Sequence, residues 1–110
     1  MTPADTMTIT EEQRGSDLVL QPIGDVDLSR SPQMRARLAA ALAKKPGRIM
    51  VDLSKVPYMD SSGVATLVEA LQHCRKAGCG LVLTSLHPRV RSIFEIAKLT
   101  QVFEIVDQTD

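Results

Sequence analysis

A chain of 110 residues has the length of one domain, long enough to bury an apolar core without disulfides or a structural metal. Aliphatic residues must build that core, because 44% of the residues are hydrophobic and only 3% are aromatic. Thirteen basic and thirteen acidic residues balance, which argues against non-specific binding to nucleic acid or to a membrane surface. The chain lacks an apolar run of roughly 18 residues and a basic, apolar export signal, so we expect a cytoplasmic protein.

The first elements predict a hairpin followed by a helix. Apolar alternation over Met7–Thr10 predicts a short strand, Gly15-Ser16 predicts a turn, and Asp17–Gly24 predicts a second strand. The helix has Ser31 as its candidate cap and Pro32 at its first helical position. Apolar side chains recur four residues apart on one face of this helix: Met34, Leu38 and Leu42.

Strands and helices then alternate. Residues 48–53 and 81–86 are compact apolar runs that predict strands, the first of them buried on both faces. The helix between these strands ends at Gly78, and its predicted apolar face is Val64, Leu67, Val68, Leu71 and Cys74. His87-Pro88 opens a third helix, and its predicted inward face is Val90, Ile93, Phe94 and Ala97. Residues 102–106 form a last strand.

The predicted order is therefore β-β-α-β-α-β-α-β. This order is typical of an α/β fold with a mixed, mainly parallel β-sheet covered by helices. We expect a single domain spanning residues 1–110, with its core at about residues 7–106. The two cysteines, Cys74 and Cys79, are expected to be packing thiols, because the chain offers too few Cys and His for a metal site. No cofactor is expected.

A polar run of four residues opens the middle helix: Asp60, Ser61, Ser62 and Gly63. A helix needs one cap, which Asp60 or Ser61 could supply. A helix amino terminus also favours an anion such as a phosphate, and Gly63 lowers helix stability by up to about 1 kcal/mol relative to Ala. Capping alone and a modifiable serine hydroxyl therefore both remain open.

Two other interpretations fit less well. A hydrolase nucleophile elbow needs Gly-x-Ser-x-Gly, but Met59 occupies the first glycine position around Ser61, and no histidine lies within reach along the helix. A phospho-aspartate receiver would use acidic residues that follow strands, such as Asp25, Asp27 and Asp52. It also needs a lysine at the end of its last strand, and residues 102–110 contain none.

Residues 56–70, "VPYMDSSGVATLVEA", resemble the signature of STAS domains, and specifically of bacterial anti-sigma factor antagonists. Residues 24–38, 49–56 and 87–105 resemble three further segments of that family in the same order, so the resemblance covers about Met7 to Val106. The chain departs from the family at Val64-Ala65, where Leu-Gly is frequent, and at Asp25-Val26, where Glu-Leu is frequent.

The resemblance implies a STAS fold and a function without catalysis. In such antagonists the serine after the aspartate, Ser61 here, is phosphorylated by an anti-sigma factor that is also a serine kinase. The unphosphorylated form binds that kinase and frees the sigma factor, and a PP2C-type phosphatase reverses the modification. The implied partner-binding residues are Asp27, Asp60, Ser62, Gly63 and Val64.

Separate roles are expected for these residues. Asp60 would cap the helix or orient the Ser61 hydroxyl, Ser62 would be a second capping group, and Gly63 would let the partner approach closely. The alternative within the family is an accessory subunit of a transporter or lipid-trafficking complex, which would use the same surface without phosphorylation. Such a subunit would have no need of the Ser61 hydroxyl.

Overall fold

A computed structural model of the protein describes residues 7–107. The amino-terminal residues 1–6, on which the expectation about an export signal partly rests, lie outside this range. The order of elements is the predicted one: β1 (Thr8–Arg14), β2 (Asp17–Ile23), α1 (Ser31–Ala43), β3 (Arg48–Asp52), α2 (Ser61–Ala77), β4 (Gly80–Thr84), α3 (Pro88–Ile96) and β5 (Glu104–Val106).

One mixed sheet contains the five strands in the order β1-β2-β3-β4-β5. Strand β1 pairs with β2 antiparallel, and the remaining neighbours pair parallel, which confirms the predicted mainly parallel sheet. Strand β1 is longer than predicted because all seven of its residues pair with β2, from Thr8 with Ile23 to Arg14 with Asp17. Its second half is polar, so apolar alternation does not reveal it. A receiver fold is excluded, since its central sheet is doubly wound with a different strand order.

All three helices lie on one face of the sheet. Each crossover steps in the same direction along the sheet, and right-handed crossovers then place every helix on the same side. Ile49 and Val51 of β3 are buried in the main core cluster, while Met50 and Asp52, which point the other way, are half-buried. The prediction that β3 is buried on both faces is therefore wrong, because no helix covers the second face of this strand.

The start of α1 corrects another prediction. Ser31 is not the cap; it is the first residue of the helix and is buried, while Arg30 occupies the cap position and its side chain does not cap the helix. The Asp27 carboxylate accepts from the Arg30 N–H at 3.1 Å, and the Asp27 carbonyl accepts from the Ser31 N–H at 2.8 Å. Asp27 thus satisfies the first two backbone donors at the helix start, Pro32 has no N–H, and the Gln33 N–H donates to the Arg30 carbonyl at 3.1 Å. Pro32 lies in the first turn, as the second helical residue rather than the predicted first, because the helix begins at Ser31.

The other helix ends and inward faces mostly follow the sequence. Gly78 ends α2 in the left-handed conformation, with φ of 73°, where only glycine is free of strain. In α3, Val90 and Phe94 are buried, and the Phe94 ring meets the edge of Phe103 at 5.5 Å between centroids. Ala97 is exposed at the helix end, so its predicted inward position is wrong.

Both cysteines are free and buried, as expected for packing thiols. Burial raises the pKa of the Cys74 thiol to about 12, so this thiol stays protonated and unreactive at neutral pH. Within residues 7–107, no cluster of three or more His, Cys, Asp or Glu could hold a metal ion. None of the helices in that range has the length and apolarity to cross a bilayer.

Candidate functional site at the amino end of α2

The segments that follow β2 and β3 meet at one edge of the sheet. Val26 and Met59 form an isolated parallel bridge, the Val26 N–H donates to the Tyr58 carbonyl at 3.0 Å, and the Asp60 N–H donates to the Val26 carbonyl at 3.1 Å. The carboxyl ends of neighbouring parallel strands lie together, so these connections leave from the same edge. This pairing brings the segment that carries Asp27 beside the amino end of α2.

Asp60 is the cap of α2. One carboxylate oxygen, Oδ1, accepts from the Ser62 N–H at 2.9 Å, from the Ser62 hydroxyl at 2.5 Å and, more weakly, from the Gly63 N–H at 3.4 Å. The Ser62 hydroxyl, followed by these N–H groups, lowers the pKa of Asp60 against the opposing effect of desolvation. Asp60 therefore carries a negative charge at neutral pH, one residue before Ser61.

The second oxygen of Asp60 ties α2 to the segment before α1. Its Oδ2 accepts from the Leu28 N–H at 3.2 Å, a bond between residues 32 positions apart. One carboxylate thus caps a helix and holds a neighbouring loop. The loss of Asp60 would release both contacts at once.

Asp27 organises the same loop from the other side. Its carboxylate accepts from the Ser29 hydroxyl at 2.8 Å and pairs with the Arg30 guanidinium at 3.0 Å. The Ser29 hydroxyl contributes most to a lowered pKa of Asp27, so this carboxylate is ionised at neutral pH as well. Two negative charges therefore flank Leu28 at the edge of the site.

The two serines of the motif have different environments. Ser61 is the first residue of α2, it is exposed, and its hydroxyl makes no hydrogen bond within residues 7–107. Ser62 is half-buried, and its hydroxyl donates to Asp60. Ser62 is therefore not a second cap: it uses its hydroxyl as a donor, because Asp60 already holds the cap position. Nor does Asp60 orient the Ser61 hydroxyl here, since its oxygens are taken by other donors.

Gly63 supplies clearance inside the protein. A Cβ at this position would lie 2.6 Å from Met59 Cγ, 2.8 Å from Val26 Cγ1 and 3.1 Å from the Val26 carbonyl oxygen. The structure thus gives this glycine an internal reason, and the expected close approach by a partner stays a prediction. The next residue, Val64, packs in the core with 9% of its surface exposed, so its side chain adds little to the outer surface.

Gly63→Ala is expected to lower the free energy of unfolding by about 1–2 kcal/mol, even though Ala favours a helix by up to about 1 kcal/mol. The added methyl must displace Val26 and Met59, which pair with each other and cannot both yield cheaply. Urea unfolding measures the change. Gly80→Ala is the matched control, because there the methyl meets only the flexible Arg48 side chain, at 3.3 Å. Equal stabilities for the two variants would contradict the internal role of Gly63.

Sequence reasoning missed two exposed apolar side chains near Ser61. Leu28 is 76% exposed and Tyr58 is 46% exposed, although both have backbone atoms bonded into the site. Leu28 lies between the polar residues Asp27 and Ser29, outside any helical or strand periodicity. This isolated position was the one sequence feature that could have indicated an exposed leucine. Exposed apolar groups beside a modifiable residue are typical of a surface that binds another protein.

A model of the STAS domain matches residues 8–110. The chain belongs to the STAS domain family. The anti-sigma-B factor antagonist of Listeria monocytogenes is 33% identical to it over 82 residues, 74% of this chain and 72% of that protein. The anti-sigma-B factor antagonist of Bacillus subtilis is 27% identical over 99 residues, 90% of each chain. These matches confirm the family resemblance inferred from the motif.

A solved STAS structure shows the same fold. The Bacillus cell fate determinant SpoIIAA in its phosphorylated form superposes on this chain with a TM-score of 0.74 at 21% identity, covering 94% of this chain and 93% of that one. The predicted STAS fold is therefore confirmed.

Proposed function

We propose that this STAS domain is an anti-sigma factor antagonist that is switched by phosphorylation of Ser61. In its unphosphorylated form it binds an anti-sigma factor that is also a serine kinase, and the kinase then releases its sigma factor. The Listeria and Bacillus relatives are named anti-sigma-B factor antagonists, which supports the antagonist function. The protein acts by binding and as a substrate, so ATP belongs to the kinase and the chain performs no reaction of its own.

The free hydroxyl of Ser61 carries the proposal. A kinase must bring the γ-phosphate of ATP in line with an accessible hydroxyl, and Ser61 offers one that no internal hydrogen bond restrains. Ser62 would first have to break its bond to Asp60 and emerge from a half-buried position. SpoIIAA, which shares the fold, has a phosphorylated form, and this is consistent with such a modification.

Electrostatics explains how the modification would separate the partners. A phosphate adds about −1.5 to −2 charges at pH 7, next to the ionised Asp60 and near the ionised Asp27. Asp60 already occupies the Ser62 and Gly63 N–H groups, so these donors are not free to neutralise the new charge. Asp27 is paired with Arg30, so the partner would have to bury the phosphate charge mainly against the ionised Asp60, which is strongly unfavourable.

The same surface would serve the reverse reaction. Because Ser61 is exposed at the first turn of α2, the phosphate would project toward solvent, where a PP2C-type phosphatase can reach it. We propose Asp27, Asp60 and Ser62 as the framework of the partner surface, with Gly63 and Val64 supporting it from beneath. Leu28 and Tyr58 supply exposed apolar area on that surface.

Intact-mass measurement after incubation with ATP and an anti-sigma factor kinase from the same genome tests the proposal. One phosphate is expected on the wild type and on Ser62→Ala, and none on Ser61→Ala. A label that persists in Ser61→Ala would move the acceptor elsewhere. No label with any such kinase, together with co-purification of a transporter ATPase, would favour the accessory-subunit function instead.

A further inference from the structure

A cavity of about 160 Å³ lies between α1 and α2 and reaches the helix-covered face of β3. Both helices contribute small or aliphatic wall residues, and β3 contributes the floor: Leu38, Ala39, Leu42, Ala70, Cys74 and Ile49. The cavity is separate from the partner surface, which lies at the amino end of α2. Ala39 and Ala70 leave this space open because their side chains are short.

Four polar side chains line the cavity; Arg35, Thr66 and Glu69 are paired, and the fourth, His73, is exposed to solvent. Thr66 donates its hydroxyl to the Ser62 carbonyl at 2.8 Å, and Arg35 pairs with Glu69 at 2.8 Å across the mouth. Within residues 7–107, no buried side-chain nitrogen or oxygen lacks a hydrogen-bond partner. An occupant would therefore meet no unpaired buried polar side chain in the wall, and the exposed His73 ring can be hydrated by solvent.

The cavity also disfavours charge. Desolvation is the main cause that raises the pKa of the Cys74 thiol to about 12, so the medium around this wall residue opposes an anion. The Arg35 and Glu69 charges compensate each other at the mouth and leave no net charge to recruit an ionic head group. An apolar protein cavity of about 150 Å³ can stay dry and bind benzene, so the volume here suits a ligand of that size.

We propose that this cavity binds a small uncharged hydrocarbon group, either an aromatic ring or an alkyl chain of about six to eight carbons. The walls supply apolar contacts from both helices and from the sheet, and the ion pair at the mouth offers no unpaired charge to the polar end of an alkyl chain. Such a ligand would bridge α1 to α2, the helix that carries Ser61. The proposal does not depend on the antagonist function, since binding is measured on the isolated chain.

Toluene, 1-hexanol and hexanoate are suitable probes, with thermal unfolding and two-dimensional amide NMR as readouts. We expect saturable shifts of the Leu38, Ile49 and Ala70 amides with the two neutral probes. At about five times its Kd, such a ligand should raise Tm by about 4 °C, because it binds only the folded state. Hexanoate should bind at least about tenfold more weakly than 1-hexanol, because its carboxylate loses part of its hydration at the mouth, where Arg35 is already paired with Glu69.

Filling the cavity is the decisive control. Ala70→Leu and Ala39→Leu place a larger side chain in it and should each weaken toluene binding by at least about tenfold. Ala40→Leu is the matched control, because Ala39 and Ala40 are both exposed on α1 but only Ala39 lines the cavity, so binding should be unchanged. If Ala70→Leu fails to fold, Ala39→Leu decides.

Three outcomes would overturn the proposal: no saturable binding of either neutral probe, unchanged binding in the folded filling variants, or hexanoate affinity equal to that of 1-hexanol.

Discussion

Ser61→Glu is expected to weaken binding of the anti-sigma factor by at least about 100-fold while leaving the protein folded. Breaking the pairing of a buried charge, or burying one without a partner, costs about 3–5 kcal/mol, and about 1.4 kcal/mol corresponds to each factor of ten in Kd. Glutamate places one such charge at an exposed position beside the ionised Asp60. Isothermal titration calorimetry with the purified anti-sigma factor measures Kd, and urea unfolding checks the fold.

Two variants separate the effect of charge from other causes. Ser61→Gln has nearly the size of glutamate without its charge, so it should keep most of the affinity. Ser92→Glu adds the same charge at an exposed position of α3, and it should bind like the wild type. If Ser61→Gln loses as much affinity as Ser61→Glu, steric hindrance rather than charge controls the complex. If Ser61→Glu binds normally, the surface around Ser61 is not the interface.

Asp60→Ala is expected to have the largest effect on stability within the site, lowering the free energy of unfolding by about 2–3 kcal/mol. Loss of the helix cap costs about 0.5–2 kcal/mol. Loss of the further hydrogen bond from the Leu28 N–H to this charged acceptor would cost about 1.5–3 kcal/mol if the donor were buried. The cost of losing this second bond is smaller here, because Leu28 is exposed. Urea unfolding measures the change. Hydrogen exchange of the Leu28 amide should accelerate, because its acceptor is removed.

Asp60→Asn distinguishes the two functions of this carboxylate. Its amide oxygen can still cap α2, since Asn and Asp cap about equally well, but its NH₂ group cannot accept from the Leu28 N–H. We therefore expect a loss of only about 1 kcal/mol, with faster exchange at Leu28 but not at Gly63. Stability equal to that of Asp60→Ala would contradict this division between the two oxygens.

The difference in stability between the wild type and Asp60→Asn should depend on pH. The pKa of Asp60 is lowered below its ordinary value of 3.8, so its stabilising effect is present above that value and is lost as pH falls through the folded pKa. The advantage of the wild type over Asp60→Asn should therefore shrink as pH falls below about 4. Asp27, whose pKa is also lowered, is present in both proteins, so Asp60→Asn keeps part of the acid sensitivity.

The element order was predictable because short-range signals mark each boundary. Gly15-Ser16 marks the hairpin turn, Pro32 the start of α1 and Gly78 the end of α2, and each acts through its own backbone preference. The length of β1 was not predictable in this way. Its second half is held by pairing with β2 at the sheet edge rather than by apolar alternation.

The motif itself was also visible in the sequence, but its internal division was not. Four polar or small residues in a row point to a special helix start, and both Asp60 and Ser61 can cap a helix. The choice between them depends on backbone direction at the end of the preceding loop, where Asp60 has the extended conformation of a cap. With Asp60 in that conformation, Ser61 is the first helical residue and its hydroxyl is free. The Asp60 carboxylate accepts instead from the N–H and the hydroxyl of Ser62.

The sequence by itself determined the kinds of elements, their order, the family and the position of the candidate phosphoserine, because all of these are encoded within short segments. Only the tertiary structure decided why Gly63 lacks a side chain, which face of β3 is covered, and how Leu28 comes to lie at the site. Each of these depends on contacts between residues far apart in the chain, such as Val26 with Met59 and Leu28 with Asp60. Local propensities do not report such contacts, since the packing of the sheet and its helices creates them.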